Sequence, residues 1–224
     1  RISPDGERVA YSDSKGRLVL ADVDGGDKTI VATTPIGDDS FSAVVFSPDS
    51  GLLAFSRSDE QRSRLVLHDL DEGRTEIVAS ERFSAYSPAF SPDGQWLWFL
   101  SDRNFEATPG APWGDRVMGP MFDERTGLYG LALTTDARFP FLPRTLGTPV
   151  EEDDAAKGKK KKKKKKDKKD GDEDAKPEPV DLAWDGLRAR LYAVPVPAGN
   201  YGSLTANQKF LFVAKQDGDE TSLH

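Results

Sequence analysis

Short apolar runs of period two recur along the chain. Val9-Ala10-Tyr11-Ser12, Leu53-Ala54-Phe55-Ser56 and Leu97-Trp98-Phe99-Leu100 each begin six residues after the serine of a turn sequence. Those turns, Ser3-Pro4-Asp5-Gly6, Ser47-Pro48-Asp49-Ser50 and Ser91-Pro92-Asp93-Gly94, are spaced by 44 residues twice over. Proline presets φ early in a turn, aspartate bonds nearby N–H groups and glycine tolerates positive φ, so each turn predicts a hairpin. Phe46 and Phe90 end the entering strands, and the apolar runs form the leaving ones. A third strand is predicted at Leu18-Val19-Leu20 and Leu65-Val66-Leu67. Acidic turns follow at Asp22-Val23-Asp24-Gly25-Gly26 and Asp69-Leu70-Asp71-Glu72-Gly73, then a fourth strand at Thr29-Ile30-Val31 and Glu76-Ile77-Val78.

Four short antiparallel strands in a fixed period, with no amphipathic helix between units, predict an all-β β-propeller whose repeats are blades. The third unit departs from the pattern. Its second strand ends near Ser101-Asp102-Arg103 and the next, Gly127–Leu133, lies beyond an insertion at about 103–126. That insertion carries Phe105, Trp113, Met118, Met121 and Phe122, so it is expected to pack on the propeller body or on a partner. Val180-Asp181-Leu182-Ala183-Trp184 is expected to resume the interrupted fourth strand. Arg190–Val194 and Phe210–Val213 are expected to form a further, degenerate unit.

Charge divides the chain. Its 224 residues carry a net charge of -7, but residues 151–178 hold 12 Lys and 10 Asp or Glu, including the unbroken run Lys159–Lys166. This segment reads as a disordered, self-neutralising insertion. The domain plan is therefore blades over 1–150, the Lys/Asp/Glu-rich insertion over 151–178, and continuing blades over 179–224. Outside the insertion 28 acidic residues face 19 basic ones, an acidic body that disfavours nucleic-acid binding. No apolar run approaches 18 residues, so no membrane-spanning helix is expected. Without cysteine, disulfides, thiolate metal sites and a cysteine nucleophile are excluded. The 196 residues outside the insertion make about four and a half units, whereas rings of such blades commonly close with about six to eight. The expectation is a partial ring of four to five blades belonging to a longer parent, in keeping with a chain that starts at Arg1 without an initiator Met.

Chemistry-bearing motifs are sparse. The only imidazoles are His68 and His224, and His68 occupies a repeat position that is Ala21 in the first unit, so it reads as structural. There is no Gly-x-Ser-x-Gly elbow and no His-Glu-x-x-His. Asp22, Asp24 and Asp27 lack the distal glutamate of a calcium loop and read as a hairpin turn. Trp96 and Trp98 share one strand face with Leu97 and Phe99 on the other, as expected for a blade packed on both sides. Gly199-Asn200-Tyr201 reads as a turn. No catalytic, cofactor-binding or metal-ligating residue is assigned, and no cofactor is expected.

The repeated Ser-Pro-Asp-Gly turn resembles the blades of TolB and tricorn-type propellers. Val180–Arg190, followed by Val194-Pro195-Val196-Pro197-Ala198-Gly199-Asn200-Tyr201, resembles the corresponding part of tricorn protease homologs, in the larger of their two propellers. Lysine- and acid-rich insertions just before that stretch are also a feature of bacterial members. The resemblance implies a serine peptidase that trims oligopeptides, assembles as a homo-oligomer and is cytoplasmic, with a periplasmic or exported form as the alternative. In that family propellers guide peptide passage, and later domains carry a PDZ module and the catalytic residues. This chain would then be a non-catalytic segment serving substrate access and assembly. Two other readings remain open at this point: a TolB-like interaction scaffold without an enzyme, and the propeller of a prolyl-oligopeptidase-like enzyme.

Overall fold

A computed structural model describes residues 1–34, 41–59, 62–79, 82–106, 122–142, 179–217 and 220–224. Its regular elements are β1 (Arg8–Ser12), β2 (Arg17–Asp22), β3 (Lys28–Thr33), β4 (Phe41–Phe46), β5 (Leu52–Asp59), β6 (Arg62–Asp69), β7 (Thr75–Ile77), β8 (Ala85–Phe90), β9 (Trp96–Asp102), β10 (Thr126–Ala132), β11 (Leu191–Ala193), β12 (Tyr201–Ala206), β13 (Leu211–Asp217) and β14 (Glu220–Leu223). A single 3₁₀ turn, Leu187–Ala189, is the one helical element among the described residues, none of which forms a helix long and apolar enough to cross a membrane.

The strands form four antiparallel meanders: β1-β2-β3, β4-β5-β6-β7, β8-β9-β10-β11 and β12-β13-β14. In the first sheet the entering strand shortens to a bridge between Ile2 and Val9. The alternation of each strand decides what it buries. On β5, Leu53 and Phe55 face the first sheet's Ala10 and Leu18, while Leu52 and Ala54 face the third sheet's Leu97 and Phe99. On β9, Leu97 and Phe99 point back toward the second sheet, while Trp96, Trp98 and Leu100 point forward to Val213 of the fourth. Three apolar layers therefore join four sheets in chain order. Phe55, Leu53, Leu97 and Phe99 are fully shielded, each contributing about 1.5–3 kcal/mol by burial.

Sheets stacked by their faces converge at one end. The first strands β4, β8 and β12 lie against one another in succession, with β8 also across β5 and β6. They form the inner edge of the arc, as blades arranged about an axis require.

Two expectations are corrected. Val180–Trp184 is not a strand. It crosses the sheet ends as a strap, with Val180, Leu182 and Trp184 packed against the core between the second and third sheets. The fourth strand of the third sheet is instead β11, within the segment expected to open a further unit; Tyr129 pairs with Ala193 and Leu131 with Leu191. The alternation in 180–184 was a true burial signal, but the ladder position beside β10 is already filled by β11. Trp113, Met118, Met121 and the 151–178 segment lie outside the described residues. Phe105 and Phe122, at the described ends of the insertion, contact each other edge-on at 6.0 Å, and Phe105 also meets Phe83; both rings remain exposed.

Candidate functional site

The Ser-Pro-Asp turns share one hydrogen-bond plan. The serine N–H donates to the carbonyl five residues on, at 2.9 Å in all three turns. The serine hydroxyl donates to the aspartate Oδ1, at 2.6 Å from Ser3 to Asp5, with the same contact from Ser47 to Asp49 and from Ser91 to Asp93. It also accepts the N–H of Arg8, Leu52 or Trp96, at 2.9, 2.8 and 2.9 Å. The fourth position takes positive φ in each: 76° at Gly6, 65° at Ser50 and 69° at Gly94. Only Ser50 does so with a side chain, and its Oγ accepts the Asp5 N–H of the neighbouring turn at 3.2 Å. In the fourth sheet Asn207 replaces the motif, its Oδ1 accepting the N–H groups of Lys209 and Phe210 at 2.8 Å each. This explains why that unit looks degenerate in sequence.

The acidic turn at Asp22 closes with Gly25 N–H on the Asp22 carbonyl at 3.1 Å and Gly25 at φ 78°, which is the predicted hairpin. Among the described residues no group of three or more His, Asp or Glu is placed to hold a metal ion.

The strap is pinned at several points. Val180 N–H donates to Asp49 Oδ2 at 2.7 Å, and the Arg74 guanidinium lies 4.5 Å from the centre of the Trp184 ring. Arg190 donates to the carbonyls of Ala132 at 3.1 Å, Asp185 at 2.7 Å and Ala183, tying the strap to the end of β10.

His68 is buried on β6 with its Nδ1 2.7 Å from Thr75 Oγ1. Burial lowers its pKa, partly offset by the Asp69 charge. It is enclosed between β6 and its neighbours, in the structural role its repeat position suggests. His224 Nε2 lies 2.8 Å from Ser222 Oγ, an exposed pair two residues apart at the end of β14. Period-two alternation puts both on the same face without further design. Tyr86 donates to Asp102 Oδ1 at 2.9 Å and lies 3.0 Å from Thr126 Oγ1; burial pushes its phenol up to about 12.

Between the third and fourth sheets, at the Ser-Pro-Asp rim, a cleft of about 690 Å³ is lined by Asp93, Trp98, Asp136, Arg138, Phe141 and Phe210. Trp96 and Trp98 stack at 5.2 Å beneath it, with the predicted shared face.

The inner edge has a feature that sequence reasoning missed. Each inner strand carries a register irregularity, at equivalent positions on β4 and β8 and farther from the turn on β12. On β4, Ser42 pairs with Ser56 and Val45 with Ala54, so Ala43 and Val44 stand opposite Phe55 alone. On β8, Tyr86 pairs with Leu100 and Ala89 with Trp98, leaving Ser87 and Pro88 opposite Phe99. On β12 the register slips between Tyr201 and Ser203, leaving Gly202 without an opposite residue. Ala43 and Ser87, one repeat apart, hold φ of 50° and 51°. Ser87 Oγ donates to the Gly202 carbonyl at 3.2 Å, joining neighbouring bulges. Pro88 inside a strand was the available signal, since proline cannot donate to a ladder.

The family described as "Tricorn protease second beta propeller domain" matches residues 1–222. The chain is 33% identical over 206 residues to Tricorn protease homolog 1 of Streptomyces coelicolor, covering 92% of this chain and 18% of that protein. It is 25% identical over 141 residues to the putative tricorn-like protease C-terminal subunit of Sulfurisphaera tokodaii, covering 63% and 16%. Less than a fifth of either relative's length is spanned. The crystal structure of the tricorn protease superposes with TM-score 0.66 at 14% identity, over 96% of this chain and 18% of that one. TolB from Acinetobacter baumannii superposes with TM-score 0.52 at 15% identity, over 97% and 38%. The four stacked sheets are thus blades of a β-propeller, and the chain belongs to the family of the second β-propeller domain of tricorn proteases.

Proposed function

We propose that this propeller segment gates substrate access in a tricorn-like serine peptidase that degrades oligopeptides, and contributes to its assembly, without supplying catalytic groups. The observation that carries the reading is the inner edge formed by β4, β8 and β12. Its exposed positions, such as Ser42, Ala43, Gly202 and Ser203, are small and uncharged and leave room for a passing chain. PDZ and catalytic domains of the same parent chain, a cytoplasmic setting and a homo-oligomeric parent belong to this proposal. The family membership and the 33% identity to the Streptomyces protein support it.

The test is made in the parent peptidase carrying Ser42→Trp with Ser203→Trp, two exposed positions where an indole narrows the passage without entering the core. Hydrolysis of long peptides should slow by about tenfold or more while the circular dichroism spectrum is retained. Unchanged rates at every peptide length would overturn the gating role. A fluorophosphonate probe should leave the isolated chain unlabelled; labelling of the chain would place catalysis within it.

A further inference from the structure

We infer that Arg103 marks an oxyanion site at the end of β9: its guanidinium is held ready for a carboxylate or phosphate group that none of the described residues supplies. The inference goes beyond the access reading and stands without it. A guanidinium withdrawn from water is costly unless acceptors replace its hydration, and three other arginines of this fold are given them. Arg17 meets Asp13 at 2.5 Å, Arg74 donates to Glu76 at 2.9 Å, and Arg190 reaches main-chain carbonyls. Arg103 is treated differently. It forms no ion pair among the described residues. Its Nε donates to Ser101 Oγ at 3.0 Å, while Nη2 is buried with no hydrogen-bond partner among them.

The group is also held in place. Its carbon lies over the Tyr129 ring, 4.5 Å from the centre, and over the Phe83 ring at 5.6 Å, two cation–π contacts that fix the guanidinium without neutralising it. With Nε committed to Ser101, the terminal nitrogens remain, the fork whose spacing matches two oxygens of a carboxylate or phosphate. Burial lowers its pKa, offset in part by Tyr129, as befits a cation that has lost water without gaining a counter-charge. The corner is reached from solvent: Arg103 as a whole is half-buried, and Phe105, which touches Phe83, is 56% exposed. An orphaned buried donor of this kind calls for an ion as its explanation, and a small oxyanion is the ligand its chemistry selects.

The test titrates the full chain with sodium phosphate and, separately, sodium acetate, with ionic strength held by chloride. The Arg103 Nε–H and Ser101 amide resonances are followed. A saturable shift with a dissociation constant of about 1–10 mM is expected for a single charge-assisted fork. Tighter binding of phosphate identifies a free phosphate as the occupant, and tighter binding of acetate a carboxylate. Arg103→Lys keeps the charge but loses the fork, and should weaken binding by about tenfold as read at Ser101. Arg125, exposed, accepts the Arg103 N–H through its carbonyl at 3.1 Å, so Arg125→Gln removes a nearby charge without touching the fork and should change affinity by less than about twofold. The Tm of the parent should rise by about 2 °C or more at about 50 mM of the tighter anion, and Arg103→Met should abolish the rise. Shifts that stay linear to about 100 mM for both anions, equal affinity in Arg103→Lys, or a Tm rise that persists in Arg103→Met would leave Arg103 a stacking role alone and overturn the site. If the methionine variant does not fold, the titrations of the parent and of Arg103→Lys decide.

Discussion

Asp49 and Val180 are joined across 131 positions of sequence by a 2.7 Å hydrogen bond from the Val180 N–H to Oδ2. The other oxygen of the same carboxylate accepts the Ser47 hydroxyl and, at 3.2 Å, the Gly51 N–H. One side chain thus closes its own hairpin and anchors the strap that follows the lysine-rich segment.

Asp49→Ala should therefore destabilise more than the equivalent change in the third sheet, Asp93→Ala, whose carboxylate holds its own turn. Hydrogen bonds to a charged group are worth about 1.5–3 kcal/mol each, so a gap of about that size between the two variants is expected in urea unfolding. Equal midpoints would mean that the strap bond contributes nothing.

Ser50 stands where the other two repeats have glycine, at φ 65°. Ser50→Ala keeps the strained backbone and removes the acceptor for Asp5 N–H, so it should cost about 1 kcal/mol. Ser50→Gly loses the same acceptor but relieves about 1 kcal/mol of left-handed strain, and should lie within about 0.5 kcal/mol of the parent. Thermal unfolding that ranks the alanine variant above the glycine variant would refute the assignment.

Gly130 on β10 has no room for a methyl group: a Cβ there would lie 2.4 Å from Trp98 Cζ3 and 3.2 Å from Trp96 Cε3. Gly130→Ala should push apart the stacked indoles and cost about 1–3 kcal/mol, the range for overpacking a core. Near-ultraviolet circular dichroism should lose intensity with it. An unchanged spectrum at unchanged stability would show that the indoles move freely.

His68 makes stability depend on pH with a definite sign. Its pKa in the fold is below the ordinary value of 6.5, chiefly through burial, so the unfolded chain binds the proton more readily. Stability is complete above about pH 6.5 and falls as pH drops below it, because the native ring must then charge in a buried site. His68→Gln should flatten this part of the curve; a variant with the parent's slope would assign the slope to other groups.

Much of the fold is legible in the residues. The 44-residue spacing marks each inner hairpin, and the alternation in Leu53-Ala54-Phe55 and Leu97-Trp98-Phe99 sorts side chains between neighbouring blades, because stacking gives both faces of a strand an apolar neighbour. The strap escaped because alternation reports burial, not pairing: Leu182 and Trp184 are covered by the core without joining a ladder. β11 escaped for the complementary reason, since its pairing with β10 is a long-range choice that three residues do not encode locally. The site was the least legible part. Ala43 carries no local preference for positive φ, and its conformation follows from a two-against-one register with Phe55.

The third sheet takes its first three strands from before the lysine-rich segment and its last from after it. Ladder pairing, the Asp49 anchor and the Arg190 contacts all cross that division. Cleavage of the polypeptide within 151–178 accordingly severs a covalent link without severing the blade, and the two pieces should remain associated and reassemble after separation, each supplying what the other's sheet lacks.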